Sequence, residues 1–153
     1  MFKNPFARGN PSRIVSIHSF RGGTGKSNVT ANLAATIARQ GLRVGIIDTD
    51  IQSPGIHILF GLNEDEFKYT LNDYLWGRCP VEKAAYEVTS VLKQNGADAH
   101  RDSAIYLIPS SIKVGEISRI LREGYNVGRL NEGLKQIVQR LKLDYLMIDT
   151  HPG

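Results

Sequence analysis

Residues 13–50 read RIVSIHSFRGGTGKSNVTANLAATIARQGLRVGIIDTD. Positions 13–20 alternate apolar and polar side chains, the period of a strand, and end in a glycine-rich turn. Positions 27–40 have the pattern of a helix. Val29, Leu33 and Ile37 recur every four residues, Ala31, Ala34 and Ala35 are small packing neighbours, Arg39 falls in the last turn and Gly41 is the stop. Positions 43–47, RVGII, are apolar and β-branched without alternation, as expected for a strand buried on both faces of a parallel sheet. Strand, helix and strand in this order make a βαβ unit with a right-handed crossover.

The turn inside that unit is FRGGTGKS, residues 20–27. Gly22, Gly23 and Gly25 let a backbone approach phosphate oxygens with no side chain in the way, and successive N–H groups can then face inward as an anion nest. The helix start near Lys26 adds the positive end of its dipole. Lys26 is expected to reach β- and γ-phosphates, and the Ser27 hydroxyl to reach Mg²⁺. The expected nucleotide-binding set is Gly22, Gly23, Thr24, Gly25, Lys26, Ser27 and Asn28. The usual G-x4-G-K-[ST] spacing is not met, because Phe20 occupies the first glycine position. The strand before and the helix after distinguish this loop from an incidental glycine–lysine turn.

Two further strand ends carry acids. Asp48 and Asp50 lie in IIDTDIQSPG after the second strand, and Asp149 lies in YLMIDTHPG after the last. Ligands of open parallel sheets bind outside the carboxyl ends of the strands, so three turns converge on one rim. A phosphate cradle beside several carboxylates is what Mg²⁺-complexed triphosphate requires, since Mg²⁺ is hard, keeps several waters and takes few protein ligands. Singly, each aspartate would read as a turn or cap residue.

The rest of the chain extends the pattern. Residues 51–62 read as a loop or short helix, Thr70 caps a short helix carrying Leu71, Tyr74 and Leu75, and Pro80 starts a helix over 81–88. Polar residues 94–103 read as a loop and 104–109 as a third strand. Val114, Ile117, Ile120 and Leu121 share a helix face stopped by Gly124, and Leu130, Leu134, Ile137, Val138 and Leu141 form a clearer amphipathic helix. Residues 145–148, YLMI, are the fourth strand. The fold expected is α/β, a mainly parallel sheet with helices on both faces.

Composition narrows the class. The chain has 153 residues, 41% hydrophobic and 22% charged, which is globular rather than disordered or coiled-coil. No apolar run approaches a membrane span, and MFKNPFARGNPSR lacks the apolar core of a signal peptide. One cysteine, Cys79, cannot make an internal disulfide or by itself a cysteine metal site, and reads as a small hydrophobe; a reducing, cytoplasmic location is expected. The net charge of +4 is too mild to assign a partner. Part of it sits in residues 1–12, which read as a flexible basic leader; Phe2 and Phe6 there offer little area to a membrane. Arg119, Arg122, Arg129, Lys135, Arg140 and Lys142 read as solvated helix faces in preference to a DNA surface.

RGGTGKS, DTDIQSP and DTHPG, in this order, resemble the deviant Walker A, Walker A′ and Walker B/switch II segments of the MinD/ParA family of P-loop ATPases, a class that also contains Mrp-type iron–sulfur carriers. The resemblance covers residues 14–153 and implies a P-loop NTPase fold with ATP and Mg²⁺ as ligands. It implies that Asp50 positions the attacking water, that Asp48 supports the Mg²⁺ shell, that Asp149 holds a Mg²⁺-bound water, and that Gly153 senses the γ-phosphate. Ser27, Asp48 and Asp149 are thus the expected metal residues, and Lys26, Asp50 and Arg21 the catalytic ones. Arg21 stands where the family has a signature lysine that reaches the partner's nucleotide; arginine keeps the charge and adds a bidentate fork. His151 stands where many relatives have proline and reads as a turn residue; His18, His57 and His100 lack ligand spacing.

Family members run on past this switch, so residues 13–153 are expected to be the N-terminal part of an ATPase domain, with weak stability and activity alone. The family implies a homodimer with ATP at the interface, an activating partner protein, and a DNA or membrane surface supplied by the remaining half. Three functions stay open: a MinD/ParA-type ATPase positioning cargo, chromosome, plasmid or division machinery; an Mrp-like cluster carrier, which needs cysteine pairs; and an ATP-sensing adaptor that does not hydrolyse.

Overall fold

The computed structural model describes residues 11–20, 25–93 and 101–151. Five strands, β1 (Arg13–Ile17), β2 (Arg43–Asp48), β3 (Tyr86–Glu87), β4 (Ala104–Ile108) and β5 (Tyr145–Asp149), form one sheet in the order β1-β5-β2-β4-β3. All neighbours are parallel except β3 and β4. Among the described residues the α-helices are α1 (Lys26–Ala38), α2 (Ile56–Leu59), α3 (Leu71–Leu75), α4 (Val114–Glu123) and α5 (Val127–Arg140).

Strand alternation divides the core. Val44 and Ile46 of β2, Ile105 and Leu107 of β4, and Tyr145 and Met147 of β5 pack with Ala34, Ile37 and Ala38 of α1 and Ile56 of α2. Ile47, Ile108 and Leu146, on the opposite face, pack with α3 and with Leu134 and Ile137 of α5. Helices therefore cover both faces, and the central strands read as continuously apolar because both sides are buried.

The expected strands appear within a residue or two, apart from the first, which stops at Ile17 rather than continuing to 20. Three expectations need correction. The buried stripe of α1 is Lys26, Thr30, Ala34, Ile37 and Ala38, while Val29 and Leu33 are exposed. The small residues of that stripe let α1 lie close to the sheet. Residues 81–88 are not one helix: Val81–Ala84 is a 3-10 turn entered from Pro80, and Tyr86–Glu87 is an antiparallel edge strand. On α4 only Ile120 is fully buried, and Val114 and Leu121 face outward. The polar segment expected at 94–103 falls mostly outside the described residues, as do residues 1–10 of the basic leader.

α3 and α5 clasp each other. The Tyr74 hydroxyl donates to the Arg129 carbonyl at 2.8 Å, and Arg129 Nε donates back to the Tyr74 carbonyl at 2.8 Å. Gly133 lies under the Tyr74 ring, where an added Cβ would come within 2.5 Å of Cε1 and 2.8 Å of Cζ. Gly133→Ala gains about 1 kcal/mol of helix propensity but forces a ring held at both ends, at an overpacking cost of about 1–3 kcal/mol. A net loss is expected, read as a lower urea midpoint with an unchanged slope; a midpoint at or above wild type would refute it.

Candidate functional site

Register places the site. β5 lies between β1 and β2, pairing Ile17 with Asp149 and Asp48 with Asp149. Three strands thus end level, and their turns leave from one rim. The turns are also tied: Thr49 N and Oγ1 both donate to the Asp149 carbonyl at 2.9 Å, and Thr150 Oγ1 donates to the Ile17 carbonyl at 2.6 Å.

α1 begins at this rim. Its N-cap, Gly25, has φ of 79°, a left-handed conformation that favours glycine, and among the described residues nothing lies within 4 Å of where a Cβ would stand. Lys26 follows, almost fully buried, its Nζ donating to Asp149 Oδ1. Ser27 Oγ donates to the other oxygen of the same carboxylate at 2.9 Å. The two side chains expected to meet phosphate and metal therefore converge on one strand-end acid. Asn28 is exposed on the first turn of α1.

The acids form a chain of contacts across the rim. Asp48 is 1% exposed; its Oδ1 accepts from the Asp50 peptide N–H at 3.0 Å, and its Oδ2 has no hydrogen-bond partner among the described residues. Burial first, and the neighbouring Asp149 charge second, push its pKa up to about 7 against the opposing Asp50 N–H. Asp50 Oδ1 lies 2.9 Å from Nδ1 of His151 and accepts from the Ser53 peptide N–H at 3.3 Å.

The structure brings together Lys26, Ser27, Asp48, Asp50 and Asp149. Arg21, Gly22, Gly23, Thr24 and Gly153 lie outside the described residues. His151, read from sequence as a turn residue, contacts Asp50. The Asp48–Asp149 register carried two residues onward sets 50 opposite 151, a signal available only once the strand order is known. His18 bonds Thr150 Oγ1 at 3.1 Å, and His57 is buried against the Phe67 ring, both structural placements.

The rim gathers a left-handed glycine, a buried lysine, a helix N-terminus and a serine hydroxyl beside carboxylates, a set of groups whose chemistry suits an anion accompanied by a cation. A family model described as ParA, NUBPL iron-transfer P-loop NTPase, matches residues 10–153. The chain belongs to the ParA family of P-loop NTPases. Its ParA-family relatives differ in role. An iron–sulfur cluster carrier protein of Pseudomonas fragi is 42% identical over 82 residues, which is 54% of this chain and 28% of that protein. The septum site-determining protein MinD of Bacillus subtilis is 30% identical over 141 residues, 91% of this chain and 45% of that protein. Among solved structures, the MinC:MinD cell division complex of Aquifex aeolicus superposes with a TM-score of 0.66 at 25% identity, covering 94% of this chain and 48% of that one. The chain spans less than half the length of each of these three proteins. Among the described residues, no helix is long and apolar enough to cross a membrane.

Proposed function

We propose that this chain is the nucleotide-binding part of a Mg²⁺·ATP-dependent switch ATPase of the MinD type, which dimerises around ATP and works in the cytoplasm with an activating partner protein. The observation that carries this reading is the three-way contact of Lys26, Ser27 and Asp149 at the head of α1. The donor set fits Mg²⁺: every candidate atom is a hard oxygen, and Asp48 Oδ2 is a buried acceptor lacking a described partner. Ser27 and Asp149, supported by Asp48, would hold the ion, which supplies charge stabilisation on the phosphate oxygens when bound. Lys26 would pair with the β- and γ-phosphates, residues 22–27 and Asn28 would bind the nucleotide, and Asp50 would orient the attacking water. Arg21 would serve the partner's nucleotide, and Gly153 would register the γ-phosphate. The output of such a switch would be the positioning of cargo on a DNA or membrane surface.

Asp50→Asn tests the reading in the intact protein. Binding of Mg²⁺·ATP and ATP-driven dimerisation should persist, while single-turnover hydrolysis falls by about 10² or more. Hydrolysis at the wild-type rate would remove Asp50 from this role. A wild-type protein that bound ATP but never hydrolysed it would instead be a sensing adaptor.

A second reading, an ATP-dependent iron–sulfur carrier, is favoured by the iron-transfer description of the matching family model and by the Pseudomonas fragi relative. Clusters are held by cysteine thiolates. The one cysteine here, Cys79, is buried, and burial raises its thiol pKa, so it is a poor ligand. Cluster reconstitution on the intact protein discriminates: an iron–sulfur chromophore transferred in an ATP-dependent manner would favour the carrier.

A further inference from the structure

Asp50 is held from two directions. Its peptide N–H is fixed by Asp48 from within its own turn. Its side chain is engaged by His151, which belongs to the turn after β5, a hundred residues along the chain. With the Asp50 carboxylate as acceptor, Nδ1 of His151 is the donor in this contact. Among the described residues, the hydrogen bonds of the Asp50 side chain, to His151 and from the Ser53 peptide, both use Oδ1 and not Oδ2. The turns are also tied at their bases, Thr49 to the Asp149 carbonyl and Thr150 to the Ile17 carbonyl. A histidine serving only the turn would need no such partner. This one stands half-exposed with its Nδ1 turned to a carboxylate whose side chain is 12% exposed.

We propose that His151 is the positioning residue for Asp50, holding Oδ1 so that Oδ2 is presented to the attacking water. The inference rests on the ATPase reading above. In that reaction the water oxygen bonds to the γ-phosphorus and the bond from phosphorus to the β–γ bridging oxygen breaks. ADP leaves with the electron pair, one water proton stays on the inorganic phosphate, and the other passes to solvent. His151 touches none of these atoms and acts only through Asp50. It also couples the two turns, so a displacement of the turn after β5 displaces the carboxylate.

The test compares His151→Ala and His151→Asn in the intact protein, since an asparagine amide nitrogen can stand near the place of Nδ1. His151→Ala should slow single-turnover hydrolysis by about 10-fold or more while the Kd for Mg²⁺·ATP stays within about two-fold. His151→Asn should recover the rate to within about three-fold of wild type. In ¹⁵N-labelled wild-type protein the His151 Nδ1 resonance should be that of a hydrogen-bonded donor, and should shift in Asp50→Ala. The proposal is overturned by a wild-type rate in His151→Ala, by an asparagine variant as slow as the alanine one, or by a resonance indifferent to Asp50. A wild-type protein that fails to bind Mg²⁺·ATP overturns the ATPase reading together with it; normal wild-type turnover with an unaffected alanine variant overturns the positioning role alone.

Discussion

Lys26→Ala is expected to abolish Mg²⁺·ATP binding and to destabilise the fold. Lys26 is the buried cation paired with Asp149, itself 1% exposed. Removing it leaves the carboxylate with the Ser27 hydroxyl as its remaining side-chain donor among the described residues. Orphaning one member of a buried pair costs about 3–5 kcal/mol. Losing a charge-assisted bond to phosphate in a recessed site is worth about 3 kcal/mol or more, a Kd at least about 100-fold higher. The two effects separate in a second variant. Lys26→Met with Asp149→Asn removes both charges and keeps the volume, so stability should return close to wild type while nucleotide binding stays absent. Urea midpoints and calorimetry with Mg²⁺·ATP read the two quantities. Wild-type affinity in Lys26→Ala would remove the phosphate-binding assignment of this loop.

Asp48→Asn is expected to flatten the pH dependence of stability. Burial and the charge of Asp149 raise the folded pKa of Asp48 to about 7, well above the value near 3.9 of an unfolded chain. The folded protein therefore holds more protons than the unfolded one in between. The stability contributed by protonated Asp48 is fully present below about pH 4 and is lost as pH rises through 7, a total on the order of 4 kcal/mol. Asparagine keeps the shape without the ionisation. The variant should unfold at higher urea than wild type at pH 8 and show much less decline between pH 5 and 8. Mg²⁺·ATP should bind it more weakly, because a carboxylate beside the metal shell has been neutralised. Parallel pH profiles for the two proteins would show that Asp48 ionises as easily folded as unfolded.

Much of this could be read from the chain. β2 and β5 declared themselves because both faces of each are buried and the runs RVGII and YLMI have no polar breaks. Asp48, Asp50 and Asp149 were legible as a group because each sits at or just beyond a strand end, and Lys26 joined them because it opens the helix that follows the turn from β1; parallel sheets place such ends together. What escaped depended on neighbours. The stripe of α1 was misread because close packing selects Thr30 and Ala34 over the larger Val29 and Leu33. β3 is two residues long and exists only through its pairing with β4, so no local period marks it. His151 escaped for the same reason: its meaning lies in the residue opposite, which strand order alone reveals.

The Lys26–Asp149 contact has one more consequence. A lone sulfate or phosphate drifting into the cradle must take the lysine away from a carboxylate that already neutralises it, and would leave that carboxylate stranded, so such ions are poor occupants. A polyphosphate escorted by its own divalent cation offers a swap in which ammonium goes to the ligand's anion and aspartate to the ligand's metal. On the proposed reading, this internal ion pair would favour ligands that bring both charges over lone anions.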